Sequence, residues 1–156
     1  MIPKKILFCA DFSENSLPAL RYAIGYAKKF AAELLIIHVI NSSQLGYSSL
    51  GEGVPLDMRA ALDSIQQSVD QALKAMAQDC AREVSKVETF ACIGSPAYEI
   101  VRFAEERSVG LIVTGTHGWT GFKHLIMGST AENVVRTASC PVLTVRSLPR
   151  KDPRAS

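Results

Sequence analysis

Five short β-favouring runs, each separated from the next by a segment of helical spacing, constrain this chain more than anything else in it. The runs occupy residues 6–10, 34–40, 86–93, 111–114 and 141–145. The first two are almost continuously apolar, Ile6-Leu7-Phe8-Cys9-Ala10 and Leu34-Leu35-Ile36-Ile37-His38-Val39-Ile40, the pattern of parallel strands covered on both faces. The third alternates through Val87, Thr89, Ala91 and Ile93, as a strand with two unlike faces does. Between the runs, apolar residues recur three and four apart. Leu20, Ala23, Ile24 and Ala27 mark one helix. Leu62, Ile65, Val69, Leu73 and Met76 stripe a long one over 56–84, and Ile100, Val101 and Ala104 a third. Ser13 as cap with Ser16-Leu17-Pro18 as a first turn, and Ser95 before Pro96, mark two helix starts. A last helix is expected over 129–138. The order βαβαβαβαβ with short crossovers predicts a single-domain α/β fold, a doubly wound five-stranded parallel sheet with helices on both faces. Pattern alone leaves two strand orders open.

Composition sets the outer limits. A chain of 156 residues with 47% apolar content is enough for one domain with its own core. A formal net charge of +2 gives no reason to expect a nucleic-acid partner. No apolar run approaches the ~20 residues that span a bilayer. Lys4 and Lys5 precede an apolar stretch that stops at Asp11, a poor secretory signal, so a cytoplasmic protein with no membrane partner is expected. Cys9, Cys80, Cys92 and Cys140 form no C-x-x-C pair and have no histidines at zinc spacing; Cys9 and Cys92 fall in strands and read as reduced core residues. Residues 41–55, with Gly46, Gly51 and Gly53, are expected to be a surface loop. Residues 148–156 read as a basic, flexible tail after a domain at 1–147.

The stretch most suggestive of function is 115–130, GTHGWTGFKHLIMGST, which links the fourth strand to the last helix. Glycines in such a link let backbone approach a ligand closely, and the N–H groups and positive dipole end of a helix start favour an anion such as phosphate. The spacing is not G-x-x-x-x-G-K-[ST], because no lysine follows Gly128, and it is not G-x-G-x-x-G. It reads G-x2-G-x9-G-[ST] through Gly115, Gly118, Gly128 and Ser129.

With that spacing the chain resembles the ATP-binding branch of the universal stress protein family. KKILFCADFSENS is similar to the family's first strand and helix start, LLIIHVI to its second strand and SCPVLTV to its last. The resemblance covers nearly the whole chain except 46–56 and the tail. It implies strand order 3-2-1-4-5, an adenine nucleotide α-hydrolase-like, Rossmann-like sheet. In that order strands 1 and 4 are neighbours from which the chain winds in opposite directions, and the crevice between their C-terminal ends is where such sheets bind ligands. Asp11 ends one of these strands and Gly115 the other.

Each site residue carries two readings. Gly128, Ser129 and Thr130 open a helix toward a phosphate, or Ser129 merely caps that helix. Gly115 and Gly118 are turn glycines, or, as the resemblance implies, the wall beside ribose and phosphates. His117 reaches a phosphate or is an exposed loop histidine. Asp11 matches the family's acidic residue that contacts adenosine, and alternatively caps the first helix. Cys9 and Val39 match positions lining the adenine pocket, Val39 through its backbone N–H and C=O; both also read as core strand residues. Gly121 reads as a turn residue, and Lys123 and His124 as solvated surface. His38, between Ile37 and Val39, reads as a satisfied core histidine rather than a catalytic base.

The resemblance implies a cofactor, ATP or else ADP or AMP, with Mg2+ held through the phosphates rather than by a cluster of protein ligands. It also implies a homodimer through the last strand, at 142–145, and a nucleotide-dependent role in stress response. Weak ATP hydrolysis or autophosphorylation of Ser129 or Thr130 is one alternative, and a dimeric scaffold that binds no nucleotide is another. Related ATP pyrophosphatases carry a glycine-rich loop after strand 1; here Ala10-Asp11-Phe12-Ser13-Glu14-Asn15 lacks glycine and puts two carboxylates there. No catalytic residue is assigned, since no general base is visible for either activity.

Overall fold

The computed structural model describes residues 2–45, 56–116 and 127–147. Parallel strands β1 (Lys5–Cys9), β2 (Glu33–Asn41), β3 (Val87–Gly94), β4 (Leu111–Gly115) and β5 (Val142–Val145) form one sheet in the order β3-β2-β1-β4-β5. Helices α1 (Leu17–Phe30), α2 (Leu56–Cys80), α3 (Pro96–Glu106) and α4 (Ser129–Thr137) connect them. Register runs Phe8 opposite Ile36 on one side of β1 and opposite Val113 on the other. None of the described helices is long and apolar enough to cross a membrane.

Alternate strand residues point to opposite faces, so continuously apolar strands must be covered twice. On one face Ile6, Phe8, Leu34 and Ile36 meet α1 through Ala19, Ala23 and Ala27, and α2 through Val69 and Leu73. On the other, Leu7, Cys9, Leu35 and Ile37 meet Ile100 and Ala104 of α3 and Val134 of α4. The three alanines, four residues apart, put methyl groups where α1 lies over the sheet. Each Leu or Ile fully withdrawn from water here contributes about 1.5–3 kcal/mol. The core is thus densest at β1, where Ile6, Leu7 and Phe8 are all 0% exposed.

Three sequence expectations need correcting. The long helix stops at Cys80 rather than near residue 84. Its end tightens through bonds such as Glu83 N–H to Cys80 O (3.0 Å), and Val84 turns inward instead. Ile65, read as part of that helix's buried stripe, is 38% exposed. The helix is about 37 Å long at 1.5 Å per residue and outreaches strands of four to nine residues. Its first turns therefore overhang the C-terminal ends of the strands. Ser13 caps a 3-10 turn, Glu14–Ser16, rather than α1, and makes no side-chain cap bond. The loop segment 46–55 and the tail 148–156 lie outside the described residues.

Candidate functional site

β1 leads to α1 on one face of the sheet, and its neighbour β4 leads to α4 on the other. Between them the strand ends part, and a cleft of about 620 Å3 opens there. Every sequence-predicted site residue that the structure describes lines this cleft: Cys9, Asp11, Val39, Gly115, Gly128, Ser129 and Thr130. His117 and Gly118 lie outside the described residues, as do Gly121, Lys123 and His124. A second hollow of about 340 Å3 sits on α1 between Arg21 and Lys29, away from the strand ends.

The N-terminus of α4 is built without a capping side chain. Gly128 is the cap residue, with φ −72 and ψ 154, so Ser129 is the first helical residue and not the cap that one reading made it. Gly128 N–H donates to Thr116 O at 2.6 Å, which draws the two ends of segment 117–127 together. A Cβ at Gly128 would stand 3.2 Å from that same oxygen. Glycine is therefore suited to this place by close approach, and the first N–H groups of α4 meet no capping oxygen from residue 128. Such an end is electropositive through its first N–H groups and the helix dipole.

Opposite it stands the end of β1. Ala10 N–H donates to Ile37 O at 2.8 Å, so the backbone groups of Ile37 face β1. Polar groups alternate sides along a strand. Those of Val39, two residues on, therefore face the same way, past the point where β1 has left the sheet. The N–H and C=O of Val39 look into the cleft. Beyond Ala10 the chain turns through Phe12, whose φ of 59 is left-handed and costs a non-glycine residue about 1–2 kcal/mol. Asp11 Oδ1 accepts from both the N–H and the hydroxyl of Ser13, each at 2.8 Å, so the Asp11 carboxylate braces this turn as well as lining the cleft.

Two features were missed from sequence. His38 Nδ1 lies 2.8 Å from Ala10 O, and the His38 ring packs against Phe12, tilted by 31°, with centroids 4.5 Å apart. The histidine is satisfied, as expected, but half-buried at the cleft wall rather than sealed in the core. Ile65 and Val69 of α2 supply apolar wall from the overhanging helix; their helical spacing was visible, while their position above the strand ends was not. Cys9 is no nucleophile. Burial, with smaller contributions from Cys140 and Asp11, pushes its thiol up to about 12, so it stays protonated. Burial likewise raises Cys80, Cys92 and Cys140, and all four are free thiols.

Comparison with known proteins agrees with this fold. The model of the universal stress protein family matches residues 3–146. A universal stress protein of Methanocaldococcus jannaschii is 38% identical over 151 residues, covering 96% of this chain and 85% of its own. Among solved structures, universal stress protein UspA from Lactobacillus plantarum superposes with a TM-score of 0.79 at 25% identity, over 92% of this chain and 97% of that one. Two further universal stress proteins were solved with ligands, one with cAMP (22% identity, TM-score 0.61, 94% and 98% coverage) and one from Archaeoglobus fulgidus with dAMP (20%, 0.64, 94% and 100%). At those identities the likeness to the last two is one of fold.

Proposed function

The chain belongs to the universal stress protein family, and on that premise we propose that it is an ATP-binding member whose nucleotide occupancy regulates a response to stress. One observation carries the reading: Asp11, Val39 and the glycine-capped start of α4 meet around a single cleft between β1 and β4. In this reading the Val39 backbone takes the adenine edge beside Cys9, and Asp11 takes the ribose. Gly115 and Gly118 leave room for ribose and phosphates, and Gly128, Ser129, Thr130 and His117 hold the phosphates. The donor set fits such a ligand: backbone edge groups at one end of the cleft, a carboxylate at its mouth and an anion-favouring helix start at the other. Mg2+ would arrive bound to phosphate oxygens and water. The adenylate ligands of two solved relatives support the ligand class. We further propose a homodimer through the outer edge of β5.

The test begins with the purified protein denatured and its released nucleotide identified by mass spectrometry, followed by calorimetric titration with Mg·ATP. Retained ATP, or saturable binding weakened at least about tenfold by Gly128→Val in a still-folded chain, is the expected result. No released nucleotide and no heat up to millimolar ATP would sink the reading and leave a dimeric scaffold.

A further inference from the structure

The last ladder bond of β1 runs from Ala10 N–H to Ile37 O. Were β1 to continue, the Ala10 carbonyl would be the next acceptor in the ladder with β2. The His38 ring takes that place instead, with Nδ1 at 2.8 Å. A carbonyl oxygen only accepts, so Nδ1 carries the proton, and the bond stops the ladder one residue short. The chain then leaves the sheet through Asp11 and enters the left-handed region at Phe12, a conformation that a bulky side chain holds only when its surroundings impose it. The same histidine is part of those surroundings, beside the core cluster on which Phe12 packs. The Phe12 ring lies against the His38 ring at 4.5 Å and 31°. The carboxylate of Asp11, between these two contacts, is aimed by the turn they define and is braced by Ser13.

We propose that His38 is a positioning residue: by holding the Ala10 carbonyl and seating the Phe12 ring it fixes the left-handed turn that presents Asp11 to the cleft, and so sets affinity for the nucleoside part of the ligand. This rests on the nucleotide reading above. The role differs from that of the α4 terminus, because His38 governs the β1 side of the cleft and leaves the phosphate side untouched.

Three variants of the full chain separate the contributions. His38→Leu removes both donor and ring. His38→Asn keeps an N–H donor close to the position of Nδ1. His38→Phe keeps an aromatic ring without the donor, and stands in for His38→Leu should that chain fail to fold. Two readouts are needed. Backbone chemical shifts and the HN–Hα coupling of Phe12 report its φ with no ligand present. Calorimetry then gives affinities for adenosine, Mg·ATP and inorganic tripolyphosphate. His38→Leu is expected to lose the left-handed signature of Phe12 and to weaken adenosine and Mg·ATP by about tenfold, the scale of one hydrogen bond, with tripolyphosphate changed by less than about twofold. His38→Asn, which has the donor but no ring, recovers part of both. A Phe12 that keeps its conformation in His38→Leu overturns the proposal, and so does an affinity loss shared equally by tripolyphosphate, or a failure of His38→Asn to recover. A wild-type chain that binds no nucleotide removes the proposed function, and the affinity claim with it. The Phe12 signal still decides whether His38 holds the turn.

Discussion

Ala31 ends α1 in the left-handed conformation, with φ 49, its N–H shared between Ala27 O and Lys28 O. Helices that end in this conformation usually put glycine there, and an alanine bears the clash between its Cβ and the following carbonyl. The side chain is exposed, so removing it forfeits no packing. Ala31→Gly is therefore expected to stabilise the protein by about 0.5–1 kcal/mol, after the extra freedom of glycine in the unfolded chain offsets part of the relief. Urea unfolding would show a higher midpoint at unchanged slope; a lower midpoint would mean that the Ala31 conformation is not strained. Phe12 and Ser108 share the left-handed region. None of the three was visible in sequence, because the residue types that announce such a conformation are glycine and asparagine, and here other residues adopt it.

At the scale of elements, the two sheet edges behave differently. Among the described residues β5 pairs with β4 alone. Thr116 N–H reaches Val145 O and Ile112 N–H reaches Pro141 O, so residues 141, 143 and 145 face β4, while Val142 and Thr144 turn their backbone groups outward. Proline is tolerated on an edge strand where its missing N–H would have faced out. Thr144→Pro should therefore leave the β4 ladder intact and remove a donor from the proposed dimer edge. Light scattering should give about twice the 16.9 kDa chain mass for wild type and the single mass for the variant. A monomeric wild type at micromolar concentration would end the dimer proposal. The bottom of the β2–β3 pair carries an ion pair, Lys86 Nζ to Glu33 Oε1 at 2.9 Å, with the glutamate side chain only 12% exposed. The Lys86 hydrogen bond holds the Glu33 carboxyl below its ordinary 4.5. A carboxyl depressed by folding stabilises above its unfolded value, and that stability is lost as pH falls through the folded one. Between about pH 5 and 3 wild type should thus lose more stability than Glu33→Gln, read as urea midpoints at each pH; parallel losses would show that the pair contributes nothing.

For the whole molecule, the sheet and its helices could be read almost directly from sequence, because a parallel strand covered on both faces leaves a continuous apolar run such as 34–40 that nothing else explains as well. The strand order needed more than pattern and came with the family resemblance. The meeting of Asp11 with Gly128 across 117 residues of chain was foreseeable only once that order was granted, since it depends on β1 and β4 being neighbours. What escaped notice is what depends on length and reach: the overhang of α2 that turns Ile65 into cleft wall, and the His38 ring crossing to the end of β1. These contacts tie the cleft to β1, the most buried strand, so a ligand held there should stabilise the domain as a whole and not a loop alone. By mass action, nucleotide at a hundred times its dissociation constant adds about 2.7 kcal/mol. For a chain of this size that raises the thermal midpoint by roughly 5–10 °C. The unfolding transition should stay single and move as one, because the cleft draws on β1, β2, β4 and α4 together. Gly128→Val should lose the shift while keeping a ligand-free midpoint within a few degrees of wild type, since among the described residues its added Cβ meets the Thr116 carbonyl alone, at 3.2 Å. An equal shift in that variant would place the nucleotide elsewhere on the molecule. A shift confined to one phase of a split transition would mean that the ligand orders a segment without bracing the sheet.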